Sequence, residues 1–172
     1  MTTDPQDELL DIVDEANCVI GQATRGDIHK QHLRHRACHI IVFDHAGRVL
    51  VQQRSAGKDT GAGLWDSSAA GHVDSGESYP VCAVRELHEE LGLRVEEDDL
   101  QVSLLLPAIA ETGMEFAQVY RLKTDQQPQP DATEIAALRW CSKPELDAWV
   151  SAQPQEFTPV FHKIWQHLSG EH

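Results

Sequence analysis

Apolar and polar positions alternate in short runs along most of this chain, and one longer stretch keeps helical spacing. Residues 9–13 and 18–23 are apolar-rich and flank the turn-like Asp14-Glu15-Ala16-Asn17, which predicts a β-hairpin within the first 25 residues. Residues 40–43 and 49–53 repeat the pattern around Asp44-His45-Ala46-Gly47, with a glycine where such a turn needs positive φ. A Gly-rich loop over 57–63 leads into a predicted strand over 64–70. Further on, 100–109 and 115–122 read as paired strands around the Glu111-Thr112-Gly113 turn. Residues 124–131, rich in Gln and Pro, read as a surface loop, and 135–141 as a last strand. Two helices follow, one opened by Pro144 and running through Val150. The other is capped by Thr158 and has Val160, Ile164 and Leu168 on one face.

The helical stretch lies between Ser78, a residue type suited to an N-cap, and Gly92, suited to a left-handed C-terminal cap. Val84, Leu87 and Leu91 share one face by their spacing, and Glu86, Glu89 and Glu90 share another. Carboxylates three and four residues apart repel by about 0.2–0.5 kcal/mol per pair. A solvated acidic face is the ordinary reading of such a cluster. Its flanks point elsewhere: Gly71, Gly76 and Glu77 form a tight loop before the helix, and Arg85 is placed to reach back to Glu77. A bound Mg²⁺ or Mn²⁺ would turn the repulsion into attraction, since hard cations take oxygen ligands.

Composition narrows the classes. The 172 residues fit one ordinary domain and are 41% hydrophobic and 24% charged, which argues against long disorder. Lys and Arg number 14 against 28 Asp and Glu, a net charge of −14 that repels a nucleic-acid backbone, so the expected partner is a small anion brought in by metal. Cys18, Cys38, Cys82 and Cys141 are widely spaced and read as reduced thiols. No signal-like start or membrane-length apolar run is present, so a cytoplasmic protein without a membrane partner is expected.

Gly71, Glu77, Arg85, Glu86, Leu87, Glu89, Glu90, Gly92 and Leu93 occupy every defined position of the Nudix box, so the stretch 71–93 resembles that family strongly. The resemblance implies an α+β fold, an αβα sandwich on a mixed sheet. It also implies Mg²⁺ or Mn²⁺ on Glu86, Glu89 and Glu90, helped by the Gly71 carbonyl, and metal-assisted hydrolysis of a diphosphate in a nucleoside diphosphate linked to another group. Glu89 or Glu90 is a candidate base, and so is Glu111 or Glu115, with a solvated hairpin residue as the alternative for these two. Glu77, Arg85, Gly76 and Gly92 shape the box. Relatives in this family pair through sheet edges, so a homodimer through the N-terminal hairpin is one implied partner.

Residues 10–22, 33–37 and 49–54 extend the resemblance to the YfcD-like group of Nudix proteins, which is similar to isopentenyl-diphosphate isomerase. That family carries a catalytic cysteine just before the box glycine, where this chain has Ala70, and a degenerate Glu-Glu pair, here intact; both departures favour hydrolysis over isomerisation. The isomerases also hold a metal through histidines and acids. His35, His72 and Glu115 fall at matching places and His29 nearly so, which implies a second metal site, a surface histidine run being the alternative. Trp65 either stacks on substrate or packs in the core, and Arg54 either meets substrate phosphate or forms a surface ion pair. A catalytically silent binding module is the remaining alternative, opposed by the intact box.

Overall fold

A computed structural model describes residues 2–170, and the expected span of the domain, 1–172, includes three residues outside these. The N-terminal hairpin forms as expected from β1 (Leu9–Val13) and β2 (Val19–Thr24), paired antiparallel. The histidine-rich segment after it, for which the sequence suggested no element, is a short helix α1 (Arg25–Gln31) followed by the long strand β3 (His35–Phe43). Thr24 caps α1 by accepting the Asp27 amide at 3.3 Å, and His32 closes it in the left-handed region.

The central sheet adds β4 (Val49–Arg54), β5 (Trp65–Asp66), β6 (Ala69–His72), β7 (Gln101–Leu106), β8 (Glu115–Lys123) and β9 (Ile135–Cys141). Strand order is β5-β4-β3-β8-β7, with β6 also on β3 and β9 also on β4. β3 and β8 run parallel in the middle, and the other pairs are antiparallel, so the sheet is mixed.

Two expectations change here. The strand expected over 64–70 breaks at Ser67-Ser68, because the Ser68 side chain bonds the Val42 amide and the Leu50 carbonyl in place of a strand partner. Its second half, β6, runs on through Gly71 to His72. The turn expected at 111–113 is a single 3₁₀ turn, Ala110–Thr112, and β7 stops at Leu106, because the Thr112 hydroxyl bonds the Pro107 and Ile109 carbonyls and closes the loop.

β3 is buried on both sides, as a central strand must be. Its Cys38, Ile40 and Val42 pack with Ala83, Leu87 and Leu91 of α2 (Tyr79–Leu91) in one core layer. The α2 core face is thus Cys82, Ala83, Leu87 and Leu91, with Val84 only half-buried. On the other side Ile41, Val49 and Val119 pack with Leu146 of α3 (Lys143–Ala152) and with Phe161, Ile164, Trp165 and Leu168 of α4 (Pro159–Ser169). Helix, sheet, helix is the expected sandwich. Of the even-spaced partners of Ile41 along β3, Ala37 and His39 lie beyond this second core and line an open cavity, and His35 is buried.

Candidate functional site

The α2 helix begins where the Ser78 hydroxyl accepts the Val81 amide at 3.4 Å and ends at Gly92 with φ of 65°. Its acidic face is held in place by backbone. The Glu90 carboxylate, 5% exposed, accepts the Ala70 amide at 3.0 Å and the Gln52 side-chain amide at 3.2 Å. Gly71, next along β6, lies so close to Glu86 that a Cβ there would run into that carboxylate. Only glycine lets strand and acid meet.

Arg85 ties the box together. It donates to both Glu77 oxygens at 2.8 and 2.9 Å, to Glu86 at 2.8 Å, to Glu89 at 3.2 Å and to the His72 carbonyl at 3.0 Å. Glu77 also accepts the Asp74 amide at 3.1 Å, which fixes the loop before the helix. Burial opposes ionisation of Glu77, but Arg85 and this amide outweigh it and lower its pKa. For Glu86 burial comes first and repulsion from Glu90 second, and together they raise it well above the ordinary carboxylate range. Burial likewise raises Glu90 to about 7. Charge on this face is under-compensated, which is the condition a cation relieves.

A second cluster faces the first. α1 supplies His29, the start of β3 His35 and the end of β6 His72. The parallel β3–β8 register sets Glu115 beside His35. Each ring has one nitrogen engaged: His35 Nδ1 with the Leu33 carbonyl at 2.9 Å, His72 Nε2 with Glu115 at 3.0 Å, His29 Nδ1 with Asp59 at 3.3 Å. His35 Nε2, 3.4 Å from Glu115, and His72 Nδ1 are buried without a hydrogen-bond partner. Nitrogens of the three rings lie within 4.8 Å of one another.

Burial disfavours a proton on His35, yet the Glu115 carboxylate beside it and the Leu33 carbonyl outweigh it and raise its pKa. Burial dominates at His72 and lowers it to about 4. Burial opposes ionisation of Glu115 too, but both histidines hold it well below its ordinary value. Orphaned imidazole nitrogens, each oriented through the other nitrogen, fit a transition-metal ion.

Both clusters open onto one cavity of about 1070 Å³, which Arg54, Lys58, Ile28 and Val160 also line. These observations are matched by comparison with other proteins: the sequence fits the NUDIX domain family over residues 33–161. The chain belongs to the Nudix family. It is 34% identical over 166 residues to isopentenyl-diphosphate Delta-isomerase 2 of Photorhabdus laumondii, covering 95% of this chain and 93% of that one. It is also 34% identical over 145 residues to a Nostoc protein named as an uncharacterized Nudix hydrolase, covering 84% and 86%. Among solved structures, that of DR0079 from Deinococcus radiodurans superposes with a TM-score of 0.72 at 29% identity, covering 84% of this chain and 90% of that one.

In this Nudix fold Glu86 and Glu90 are enclosed, while Glu89 has 56% of its side chain exposed at the cavity mouth. Glu111 is exposed on the cavity rim, and Glu115 is half-buried among the histidines. Gly76, at φ of 79°, makes the turn before the helix, and its amide bonds Asp11 at 3.2 Å, which docks the N-terminal hairpin on the box loop. Trp65 packs edge-on against Trp149 at 5.1 Å in the second core layer, so its packing supports the core reading over substrate stacking. Arg54 lines the cavity with its guanidinium 3.8 Å from Asp66 and 3.0 Å from the Thr60 carbonyl.

Sequence reasoning overlooked Lys58 and Arg25. Lys58 lies between Asp4, at 2.7 Å, and Glu134, at 2.5 Å, and Arg25 between Asp59, at 3.0 Å, and Glu8, at 3.3 Å, both on the cavity wall. A basic residue inside the Gly-rich loop was the available signal for Lys58. For Arg25 there was none, because its helix was not foreseen. No helix among the described residues is long and apolar enough to cross a membrane.

Proposed function

We propose that the protein is a divalent-cation-dependent pyrophosphohydrolase acting on a small diphosphate conjugate, with Glu86, Glu89 and Glu90 as the cation-holding face. The observation that carries this reading is Glu90: a carboxylate buried to 5%, on the backbone of the strand that also brings Gly71 against Glu86. Mg²⁺ or Mn²⁺ held there supplies positive charge for the diphosphate and lowers the pKa of the attacking water. Arg85 keeps the acids in register through Glu77. Lys58, Arg25 and Arg54 line the same cavity and offer cations to the phosphates, in exchange for the carboxylates they now face. Glu89, at the open end of the face, has the access to solvent that a base taking a proton from water requires.

The His29, His35, His72 and Glu115 cluster supports a second ion, of the kind neutral imidazoles prefer, such as Mn²⁺ or Zn²⁺. The same cluster, with the named isomerase among the relatives, is what favours an isomerase-like reading. Ala70 weighs against it, since its methyl carries no proton at the position before the box glycine.

The test is hydrolysis of nucleoside triphosphates, diphosphates and nucleotide conjugates with Mg²⁺ or Mn²⁺ by wild type and Glu90→Gln, read as the phosphomonoester, phosphate or pyrophosphate products separated by chromatography. Turnover lost in the variant is expected. No turnover on any substrate, or equal turnover by Glu90→Gln, would sink the hydrolase reading, and solvent-proton exchange into isopentenyl diphosphate would favour the isomerase.

A further inference from the structure

His39 belongs to neither acidic nor histidine cluster, yet it lines the same cavity and is 3% exposed. Its Nδ1 lies 2.9 Å from the Ser67 hydroxyl and 3.7 Å from the Asp66 carboxylate, both buried. Asp66 is fixed in turn by the Ser67 amide at 2.6 Å and by Arg54. Serine and aspartate share one ring nitrogen, so this is no nucleophilic triad, in which the serine would meet the other nitrogen. The Asp66 carboxylate lies beyond hydrogen-bond reach and the Ser67 hydroxyl can donate or accept, so this contact fixes the ring through Nδ1 and leaves Nε2 to exchange a hydrogen bond with a hydroxyl in either sense.

The sheet sets where that ring stands. His39 pairs with Ala70 across β3 and β6, and the Val73 amide bonds the Arg36 carbonyl three pairs along. Hydrogen-bonded pairs alternate in an antiparallel ladder, so His39 and Ala70 form a non-hydrogen-bonded pair, with side chains close together on the cavity face. The same alternation turns the Ala70 amide away from β3, to Glu90. Small side chains at Ala37 and Ala70 leave the imidazole as the polar feature of this part of the floor, one strand from the acidic face.

We propose that His39 is a specificity-determining residue, whose Nε2 hydrogen-bonds a hydroxyl of the organic group attached to the diphosphate. This rests on the diphosphate reading above and deepens it: the favoured substrate is a hydroxyl-bearing conjugate such as a sugar or nucleoside diphosphate, and a purely hydrocarbon diphosphate leaves Nε2 without a partner. Ser67 is a positioning residue that holds the ring through Nδ1, and Asp66 fixes Ser67 through its amide.

Isothermal titration of the full chain with ADP-ribose and with isopentenyl diphosphate, in Ca²⁺, tests it with wild type, His39→Asn and His39→Gln. The Asn amide reaches the Nδ1 position and keeps the Ser67 contact, whereas the Gln amide reaches the Nε2 position. His39→Asn is expected to weaken ADP-ribose about tenfold, the scale of one hydrogen bond, and to leave isopentenyl diphosphate unchanged. His39→Gln is expected to recover most of the loss, with melting temperatures of both variants near wild type. Equal weakening of both probes, unchanged ADP-ribose affinity, or a wild type that binds neither overturns the proposal. ADP-ribose bound tightly but never hydrolysed would overturn the hydrolase reading alone, leaving the His39 comparison intact.

Discussion

Glu90 hangs from the amide of Ala70 at 3.0 Å, so the acid of the helix is positioned by the strand and not by its own helix. Burial raises its carboxyl from 4.5 to about 7. Between those values the folded protein keeps a proton that the unfolded chain releases. The stability this provides in the metal-free protein is full below about pH 4.5 and is lost as pH rises through 7, a swing of roughly 3 kcal/mol. A cation on the carboxylate offsets that loss. Mg²⁺ is therefore expected to raise the melting temperature more at pH 8 than at pH 6. Glu90→Gln, which keeps an oxygen for the Ala70 amide, should shrink the difference, leaving the part that Glu86 contributes. Calorimetry in EDTA and in Mg²⁺ reads both, and an equal Mg²⁺ shift at the two pH values would refute the assignment.

Arg85→Ala should destabilise as well as inactivate. Its guanidinium meets Glu77 through two bonds and also touches Glu86 and Glu89, so its removal leaves three carboxylates without the cation they share. Breaking a buried pair costs about 3–5 kcal/mol, and because a quarter of the Arg85 side chain is exposed, a loss of about 2–3 kcal/mol is the expectation. Arg85→Lys retains charge without the fork and should fall between. Urea denaturation at pH 7.5 measures all three proteins, and an Arg85→Ala midpoint equal to wild type would show the hub to be dispensable.

The box was legible because its spacing is local: a cap, a glycine and acids three and four apart need only one helix to meet. The sandwich followed from its resemblance. What stayed hidden depends on pairing between distant segments. His35 and Glu115 are joined by a parallel register, and His39 and Ala70 by an antiparallel one, and neither register can be read from alternation alone. The break at Ser67-Ser68 was missed because a serine replacing a strand partner looks like any polar position. Trp65, for which stacking on substrate and core packing were both open, packs edge-on against Trp149, a residue 84 positions away.

Gly71→Ala is the smallest change that should separate folding from activity. The added methyl meets the Glu86 carboxylate, a side chain on a flexible stem, so β6 keeps its pairing with β3 while the acid is displaced. A shift of about 1 Å at a reacting centre can cost on the order of a hundredfold in rate. A fall in kcat of that order, with unchanged circular dichroism, is expected. Full activity would mean that Glu86 does not work from the position it occupies against the strand.

Removing the histidines tests the second ion separately from the first. His35 Nε2 and His72 Nδ1 are the buried nitrogens left without partners, so His35→Ala with His72→Ala should abolish one class of Zn²⁺ or Mn²⁺ sites and spare the acidic face. Because a ligand must give up its proton, pH reports which ring limits binding. His72, lowered to about 4, is already neutral across the working range. His35 is raised by Glu115, so the second ion should be gained as pH climbs through the His35 value and lost below it. Glu115→Gln removes that attraction and should move the midpoint to lower pH, even as it weakens the site at high pH. Titration of the chain with Zn²⁺ between pH 5 and pH 8, with bound metal counted by plasma emission, gives stoichiometry and midpoint together. If the double alanine variant bound as many ions as wild type at pH 8, the cluster would be a hydrogen-bonded histidine core around Glu115, and the second ion would be withdrawn from the mechanism.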